Sequence, residues 1–303
     1  MKHLRTLSYI ADVVRSGSVR RTAERLNITP SALTRQIQDF EQELGTPIFE
    51  RRAQGMRLNP AGELVIRYIR DQTSDLEEMR SRIADLQGVR RGHVAIASSQ
   101  AFVDHVVPDE INTYRRQHGQ VSFDVVVRDH AQAVKALLDY EVDLALILQP
   151  PPASELRILF AYQLPLCAMM SAGHALAEAG PVRLRECLTY PIAMPDQSLA
   201  VRHLLDAALV RASLSAEIVV ESSSLEFLRA YVQREPVISF QVISGIPARE
   251  TGLVARQIDS RDLAPMHIVL GHLRGRILSV AAAKFADQLA NSLERFAATL
   301  NGM

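Results

Sequence analysis

The chain has 303 residues, 48% of them hydrophobic and 22% charged, and its Lys/Arg and Asp/Glu counts balance to no net charge. That length accommodates two or three domains with ample cores, and neutrality excludes a polycation that coats nucleic acid over its whole surface. No apolar run approaches the roughly 20 residues of a membrane span, and Lys2 and Arg5 open an amphipathic stretch unlike a signal peptide, so no membrane contact and a cytoplasmic location are expected.

The charge is unevenly spread. Residues 1–60 hold ten Lys/Arg against six Asp/Glu, an excess of four positive charges that the rest of the chain must offset. One end therefore carries an electrostatic footprint suited to phosphate. Within it, Leu4, Leu7, Ile10 and Val14 recur at helical spacing and predict a first amphipathic helix. Ser16-Gly17-Ser18 interrupts it, and Ser18 is placed to cap a second helix over residues 19–26, where Ala23 permits a close helix crossing. After a short turn at Asn27-Ile28, Thr29-Pro30 reads as an N-cap followed by proline at the first helical position.

The third helix is expected from about residue 30 to 44. Leu33, Ile37, Phe40 and Leu44 lie within about 60° of one another at about 100° per residue, and Ser31, Arg35, Gln38 and Gln42 lie opposite, with Thr34 on the flank. A polar helix face taken alone is ordinarily just solvated. Two short helices joined by a tight turn, a basic flank and this mixture of hydroxyl, guanidinium and amide groups instead fit a recognition helix in a major groove, where Arg chelates guanine and Gln chelates adenine. Two extended pieces around Gly55 then predict a β-hairpin wing carrying Arg51, Arg52 and Arg57 toward the DNA backbone or minor groove.

The run from Arg21 to Leu26 (RTAERL), Thr29 to Ile37 (TPSALTRQI), Leu44-Gly45, Ile48-Phe49-Glu50-Arg51 and Leu58-Asn59-Pro60-Ala61-Gly62 resembles the LysR-type transcriptional regulators. Many residues agree in order and spacing there, and a weaker match extends over the whole chain. The resemblance implies DNA contacts at Pro30, Ser31, Thr34, Arg35 and Gln38 and a wing contact at Arg52. Thr22 stands where that family usually has Ala, and Asn59-Pro60 stands for a capping Thr; Asn followed by Pro is itself a sound helix start.

From residue 61 to 86 the only helix breaker is Gly62, in the first turn, and Val65, Ile69, Gln72, Leu76, Met79, Ile83 and Leu86 follow a 4-3 spacing. Packing within the chain could use such a seam. A heptad seam on a long helix fits a homodimer through residues 65–86 better, because helix-turn-helix proteins grip two half-sites, and the resemblance implies dimers too. A homotetramer and contact with RNA polymerase are the expected extensions. Gly88 and Arg90-Arg91-Gly92 read as the joint to the second part.

Beyond His93 strands alternate with helices: strands at 94–96, 121–127 and 142–148, helices at 102–118 and 131–140. The Gln149-Pro-Pro-Pro152 break is followed by pieces at 162–171, 191–194, 199–211, 217–220, 224–234 and 237–240, then a strand at 266–271 and a closing helix at 277–300. The overall expectation is α/β. An all-α winged helix-turn-helix (1–60) and a linker helix (61–88) lead into an effector domain (93–303) like a periplasmic binding protein, with lobe I at 93–160 and 266–303 and lobe II at 161–265. A parallel sheet with helices on both faces is expected, and the chain should cross between lobes near 160 and 265.

In such folds ligands sit at the carboxyl ends of strands, in the cleft between lobes. Ser98, Ser99 and Gln100 lie at a strand end before a helix, His130 before the next, and Gln197, Ser198, Arg202 and Phe240 across the cleft. Helix capping explains the serines equally well. Hydroxyls, helix N-termini and Arg202 favour a small anionic effector, most simply a carboxylate. The family binds its co-inducer in this cleft, so these positions follow by place rather than identity. The rim has Arg234-Glu235-Pro236 where the family has a Gly-rich turn.

The rival classes are an enzyme and an exported solute receptor. No nucleophile elbow, Walker loop, dinucleotide fingerprint or HExxH occurs, so neither catalytic residues nor cofactor are expected. His267 and His272, five apart around an apolar strand, read as structural, and no metal site is expected. Cys167, in an apolar run, and Cys187 have no metal-ligand spacing and no activating surroundings, which disfavours a redox pair.

Overall fold

A computed structural model describes residues 2–52, 55–86, 92–150, 155–178, 180–243 and 252–301. The wing tip at Ala53-Gln54, the joint at residues 87–91 and the middle of the proline break at 151–154 lie outside them. The chain divides into two compact units, Met1–Arg80 and Ser81–Met303.

The first unit comprises α1 (Lys2–Ser16), α2 (Val19–Arg25), α3 (Pro30–Leu44), the strands β1 (Phe49–Arg52) and β2 (Gly55–Leu58), and the helix α4 (Pro60–Leu86), whose last residues belong to the second unit. Local chemistry sets each boundary. Ser18 Oγ accepts the Arg21 amide N–H and Thr29 Oγ1 that of Ala32, each satisfying a donor that the helix start leaves free. Gly45 ends α3 at φ 78°, a left-handed conformation in which a side chain is strained. Asn59 Oδ1 accepts from Gly62 N (2.8 Å) while its Nδ2 donates to Pro47 O (2.8 Å), so one amide starts α4 and ties it to the wing. Gly62 is obligatory by contact: a Cβ there would lie 2.1 Å from Ile48 O.

Leu7, Ile10, Val13, Ala23, Leu33, Ile37, Ile48, Ile66 and Ile69 form the core of this unit. Two expectations are corrected. Leu44, on the apolar side of α3, is 45% exposed because the helix runs past the core before Gly45 stops it. The seam expected along α4 is also divided: Ile69 is buried and Val65 half-buried in the core, together with Ile66, whereas Met79 and Ile83 are exposed, as are Leu64 and Tyr68 outside the seam. The upper seam thus serves the protomer's own core, the alternative that the spacing had left open. The side chain of Leu86 is outside the described residues.

The second unit contains two sheets. The first has the order β4 (Val121–Val127), β3 (Gly92–Ser98), β5 (Leu144–Leu148), β12 (Met266–Leu273), β6 (Leu156–Leu164). Here β3 runs parallel to β4 and β5, as βαβ crossovers through α5 (Val106–Gln117) and α6 (His130–Leu138) require. By contrast β12 is antiparallel to both β5 and β6, so the sheet is mixed rather than parallel throughout. The closing helix α10 (Val280–Asn301) packs Ala281, Ala282, Phe285, Ala286 and Leu289 into the same core.

The piece expected at 162–171 is two strands. Pro165, which cannot donate to a ladder, separates β6 from β7 (Leu166–Ser171), and there the chain leaves one sheet for the other. The first crossing therefore falls at 165, while the return lies between Gln257 and Met266. In the second sheet β7 is flanked by β10 (Ser239–Val242) and β11 (Leu253–Gln257), both antiparallel. Parallel β8 (Ile192–Pro195) and β9 (Ile218–Ser222) extend it through the Ile192–Ile238 bridge, with α7 (Leu184–Cys187), α8 (Ala200–Ala212) and α9 (Leu225–Val232) beside them. Neither β11 nor α7 was expected.

Candidate functional site

Two places concentrate exposed polar chemistry, one in each unit. In the first, the core-facing residues Leu33 and Ile37 hold α3 so that its opposite side is open: Pro30, Ser31, Arg35 and Gln38 are exposed and Thr34 is half-buried. The eight residues of helix from Ser31 to Gln38 span about 10 Å, a length that fits a major groove about 12 Å wide. Arg35 makes no ion pair among the described residues, whereas Arg20 is held by Glu24 (3.2 Å) and Arg25 by Asp12 (2.7 Å). Ser31 Oγ and Thr29 Oγ1 share a hydrogen bond of 3.1 Å at the helix start.

The wing is paired Phe49–Leu58, Glu50–Arg57, Arg51–Met56 and Arg52–Gly55. Arg57 is exposed; the side chains of Arg51 and Arg52 are outside the described residues. Its placement depends on a residue that sequence reasoning passed over. Glu41 Oε1 accepts the amide N–H groups of Ile48 (2.7 Å) and Phe49 (3.3 Å), fixing the first wing strand to α3. A signal existed, an acid flanking the apolar stripe of α3, but its partners lie on backbone that no periodicity identifies. Met56 N also donates to Gly17 O (3.2 Å), which ties the second wing strand to the α1–α2 turn. Thr22, the departure from the expected Ala, is fully buried and satisfied: its hydroxyl lies 3.2 Å from Asp12 O and 2.6 Å from Ser16 Oγ.

In the second unit a cleft of about 280 Å³ opens between the two sheets' helices. Four of the eight expected residues line it: Ser99, Gln100, His130 and Ser198. Ser99 N–H donates to Leu146 O (2.9 Å) and its Oγ accepts from Leu148 N (3.1 Å), which leaves the hydroxyl proton for a ligand. Among the described residues His130 Nδ1 is buried without a hydrogen-bond partner. Ser198 Oγ donates to Asp196 Oδ1 (2.6 Å). No side chain caps α8 at Leu199, and Ala200 and Val201, whose amides an α-helix leaves unpaired, line the cleft.

The other four stand elsewhere. Ser98 is fully buried with its hydroxyl on Ser99 O (3.1 Å), and Phe240 is fully buried in the core. Gln197 donates to Asp206 Oδ2 (3.1 Å). Arg202 binds Glu221 (2.8 Å), Asp206 (2.8 Å) and Pro195 O (3.0 Å), with its side chain 11% exposed, so its charge is already spent on two carboxylates. Residues of the wall that had not been expected include Ser223, Arg128 and the apolar Val127, Leu148, Leu225 and Val242.

Burial pushes both thiols, Cys167 and Cys187, up to about 12, and both are free and buried. A thiol in that state is not a thiolate nucleophile at neutral pH. Buried His272 bonds Leu273 O through Nδ1 (2.9 Å), and exposed His267 bonds Gln149 and Gln163. Among the described residues no group of His, Cys, Asp or Glu could hold a metal ion, and no helix is long and apolar enough to cross a membrane.

Comparison with known proteins agrees with this division. The model of the bacterial regulatory helix-turn-helix protein, lysR family, matches residues 4–63, and that of the LysR substrate binding domain matches residues 87–294. The chain belongs to the LysR family. It is a DNA-binding transcriptional regulator with a substrate-binding domain, and not an enzyme.

Among its relatives, the HTH-type transcriptional activator CmpR of Synechocystis sp. is 24% identical over 288 residues, covering 94% of each chain. The RuBisCO operon transcriptional regulator of Allochromatium vinosum is 27% identical over 203 residues, 67% of each. Among solved structures, full-length OxyR from Pseudomonas aeruginosa aligns with TM-score 0.68 at 19% identity, over 96% of this chain and 94% of that one. Full-length CbnR in complex with its target DNA aligns with TM-score 0.59 at 17% identity, over 95% and 99%.

Proposed function

We propose that this regulator reads a specific operator through Pro30, Ser31, Thr34, Arg35 and Gln38 of α3, steadied by wing contacts of Arg51, Arg52 and Arg57 to the DNA backbone. The observation that carries this reading is the division of α3. Its apolar residues Leu33 and Ile37 are spent on the core, and its hydroxyl, guanidinium and amide groups are left facing solvent, with Arg35 in no ion pair among the described residues. The test is selection of bound fragments from random duplex DNA by the full chain, followed by titration of the selected site. A recurrent motif is expected; retention of DNA without one, at an affinity that only salt controls, would reduce the reading to backbone binding.

The working unit is a dimer. Leu64, Tyr68, Met79 and Ile83 expose 67%, 52%, 50% and 46% of their surfaces along α4, an apolar cost that a second copy removes. Two dimers forming a tetramer, action in the bacterial cytoplasm and contact with RNA polymerase extend the same reading. Its domains are the winged helix-turn-helix of residues 1–60, the linker helix of 61–88 and the two-lobed effector domain of 93–303. Sedimentation of Met79→Glu/Ile83→Glu should give monomers; an unchanged mass would remove α4 from the interface.

The cleft takes a small anionic effector, most simply a carboxylate. Supporting this are the unpaired amides at the start of α8, the free hydroxyl proton of Ser99 and the unpartnered His130 Nδ1, set against apolar Val127, Leu148, Leu225 and Val242. A thermal-shift panel of acetate, succinate and benzoate against the matching amides and alcohols tests the charge requirement. Equal shifts by an acid and its amide would refute it.

A further inference from the structure

The two lobes are joined covalently only where the chain crosses at Pro165 and between Gln257 and Met266, so their closure depends on side-chain contacts across the cleft. Two such contacts form a matched pair. Gln100, the first residue of the helical turn after β3, lines the cleft, and its Oε1 accepts the amide N–H of Leu225 at 2.9 Å. Leu225 is the first residue of α9 in the other lobe, so lobe I supplies a cap to a helix of lobe II. Four residues further on each side, Asp104 forms an ion pair with Arg229. The spacing is the same on both sides, and in α9 it is one helical turn, which puts Leu225 and Arg229 on one face.

From this geometry we propose that Gln100 and Asp104 form a two-rung latch on α9 that holds the lobes closed, and that the cleft's occupant acts on closure through Gln100. The Arg229 side chain is 11% exposed and that of Asp104 33%, so solvent screens this pair less than a surface one. Burial lowers the affinity of the Arg229 guanidinium for its proton, and Asp104 is the carboxylate that faces it across the cleft. Leu225 is held from its own lobe as well, where Gln241 Nε2 donates to Leu225 O (3.3 Å), so a pull on the Leu225 N–H is carried through its Cα to the buried β10 strand. Gln100 is a bridging group because its carboxamide has two ends. The oxygen is committed to α9, while the NH₂ makes no hydrogen bond to a described residue and is left for a carboxylate or carbonyl oxygen in the cleft. A ligand that rotates this amide removes the cap of α9; one that binds its NH₂ in place reinforces the latch. The role of the occupant rests on the cleft being the effector site; the latch itself does not.

The test is hydrogen–deuterium exchange on the full-length protein without ligand, comparing wild type with Gln100→Ala, Asp104→Asn, Arg229→Gln and Asp104→Asn/Arg229→Gln. Exchange in α9 should quicken about tenfold in Asp104→Asn, the scale of one lost charge-assisted hydrogen bond, with α3 and β3 unchanged. The double variant should be no faster than the faster of the two changes alone. Gln100→Ala keeps its backbone free to form the same turn, so it reports on the upper rung even if Asp104→Asn fails to fold. Exchange of α9 within twofold of wild type in both Gln100→Ala and Asp104→Asn would overturn the latch. With benzoate as probe, wild-type α9 exchange should change and that of Gln100→Ala should not. A benzoate thermal shift without any change in α9 exchange refutes coupling through Gln100, whereas no shift at all rejects benzoate at the cleft and leaves the ligand-free result to decide the latch.

Discussion

The polar face of α3 and the wall of the cleft ask opposite things of their residues. On α3 the functional groups are surplus to the fold: Arg35 and Gln38 are exposed, and the core is closed beneath them by Leu33 and Ile37. In the cleft the same side chains serve twice, since Ser99 Oγ also accepts from Leu148 N and the Gln100 amide also caps α9 through its oxygen. A convex surface that meets a rigid duplex can be built from one helix. A concave site between lobes has to be assembled from strand ends far apart in sequence, and each contributor is also a structural part. Substitutions should therefore separate stability from function in the first unit and entangle them in the second.

The largest effect should come from the foot of the first sheet of the second unit, at the opposite end of β5 from the cleft. Asp143 Oδ1 binds Arg276 Nη2 (2.6 Å) and its Oδ2 accepts from Ala95 N (2.8 Å); the two side chains are 16% and 8% exposed. Asp143→Ala removes the carboxylate from a buried guanidinium that keeps its bond to Val142 O (2.7 Å), and the cost in denaturant unfolding should be about 3 kcal/mol. Thermal melting of residues 1–80 should not move. A loss below about 1 kcal/mol would mean that the pair behaves as a surface bridge.

Glu41 tests the boundary of the comparison, because it lies on α3 and its carboxylate holds the wing. Glu41→Ala removes a charged acceptor from two backbone N–H groups and should cost about 2–3 kcal/mol of stability in the first unit. Operator affinity should fall with it, as the wing loses its tie to α3. If affinity falls and the melting point stays, Glu41 belongs to the interface and not to the scaffold.

Arg35→Ala is the clean case. Operator affinity should drop by about 1–3 kcal/mol if the guanidinium reads a base, with unfolding unchanged, because it pairs with no acid among the described residues. An equal loss on random DNA would make it a backbone contact instead.

How much of this was legible follows the same line. The helix-turn-helix was readable because its determinants are local: the Thr29-Pro30 start, the end of α3 at Leu44 and the stripe of Leu33 and Ile37 all appear in the structure where the spacing predicts them. The strand–helix alternation of the first lobe was readable for the same reason, with β4 found at Val121–Val127 as expected. Long-range facts were not. That Val65 and Ile69 enter the protomer's own core, that β12 runs antiparallel, and that Arg202 is consumed by Glu221 and Asp206 each depend on which elements meet. Sequence put Arg202 one turn inside a helix facing the cleft, and nothing in its neighbourhood betrays a glutamate nineteen residues away.

The smallest effect concerns pH, and it should again fall on the second unit. Burial lowers the proton affinity of His174 and His272, and both lie there. A depressed histidine is neutral in the folded chain at a pH where the unfolded chain already takes up a proton. The unfolded state then binds more protons, and stability declines as pH falls below the ordinary value near 6.5. The thiols give the mirror image at the alkaline end: with Cys167 and Cys187 held near 12, folding loses stability as pH rises past the ordinary value of 9.0. A plateau between these limits is therefore expected for residues 81–303, followed by chemical denaturation at a series of pH values. His174→Gln or His272→Gln should flatten the acid limb. An acid limb untouched by both replacements would assign it to carboxylates such as Asp262, whose proton affinity Arg183 depresses and whose loss of stability belongs at lower pH.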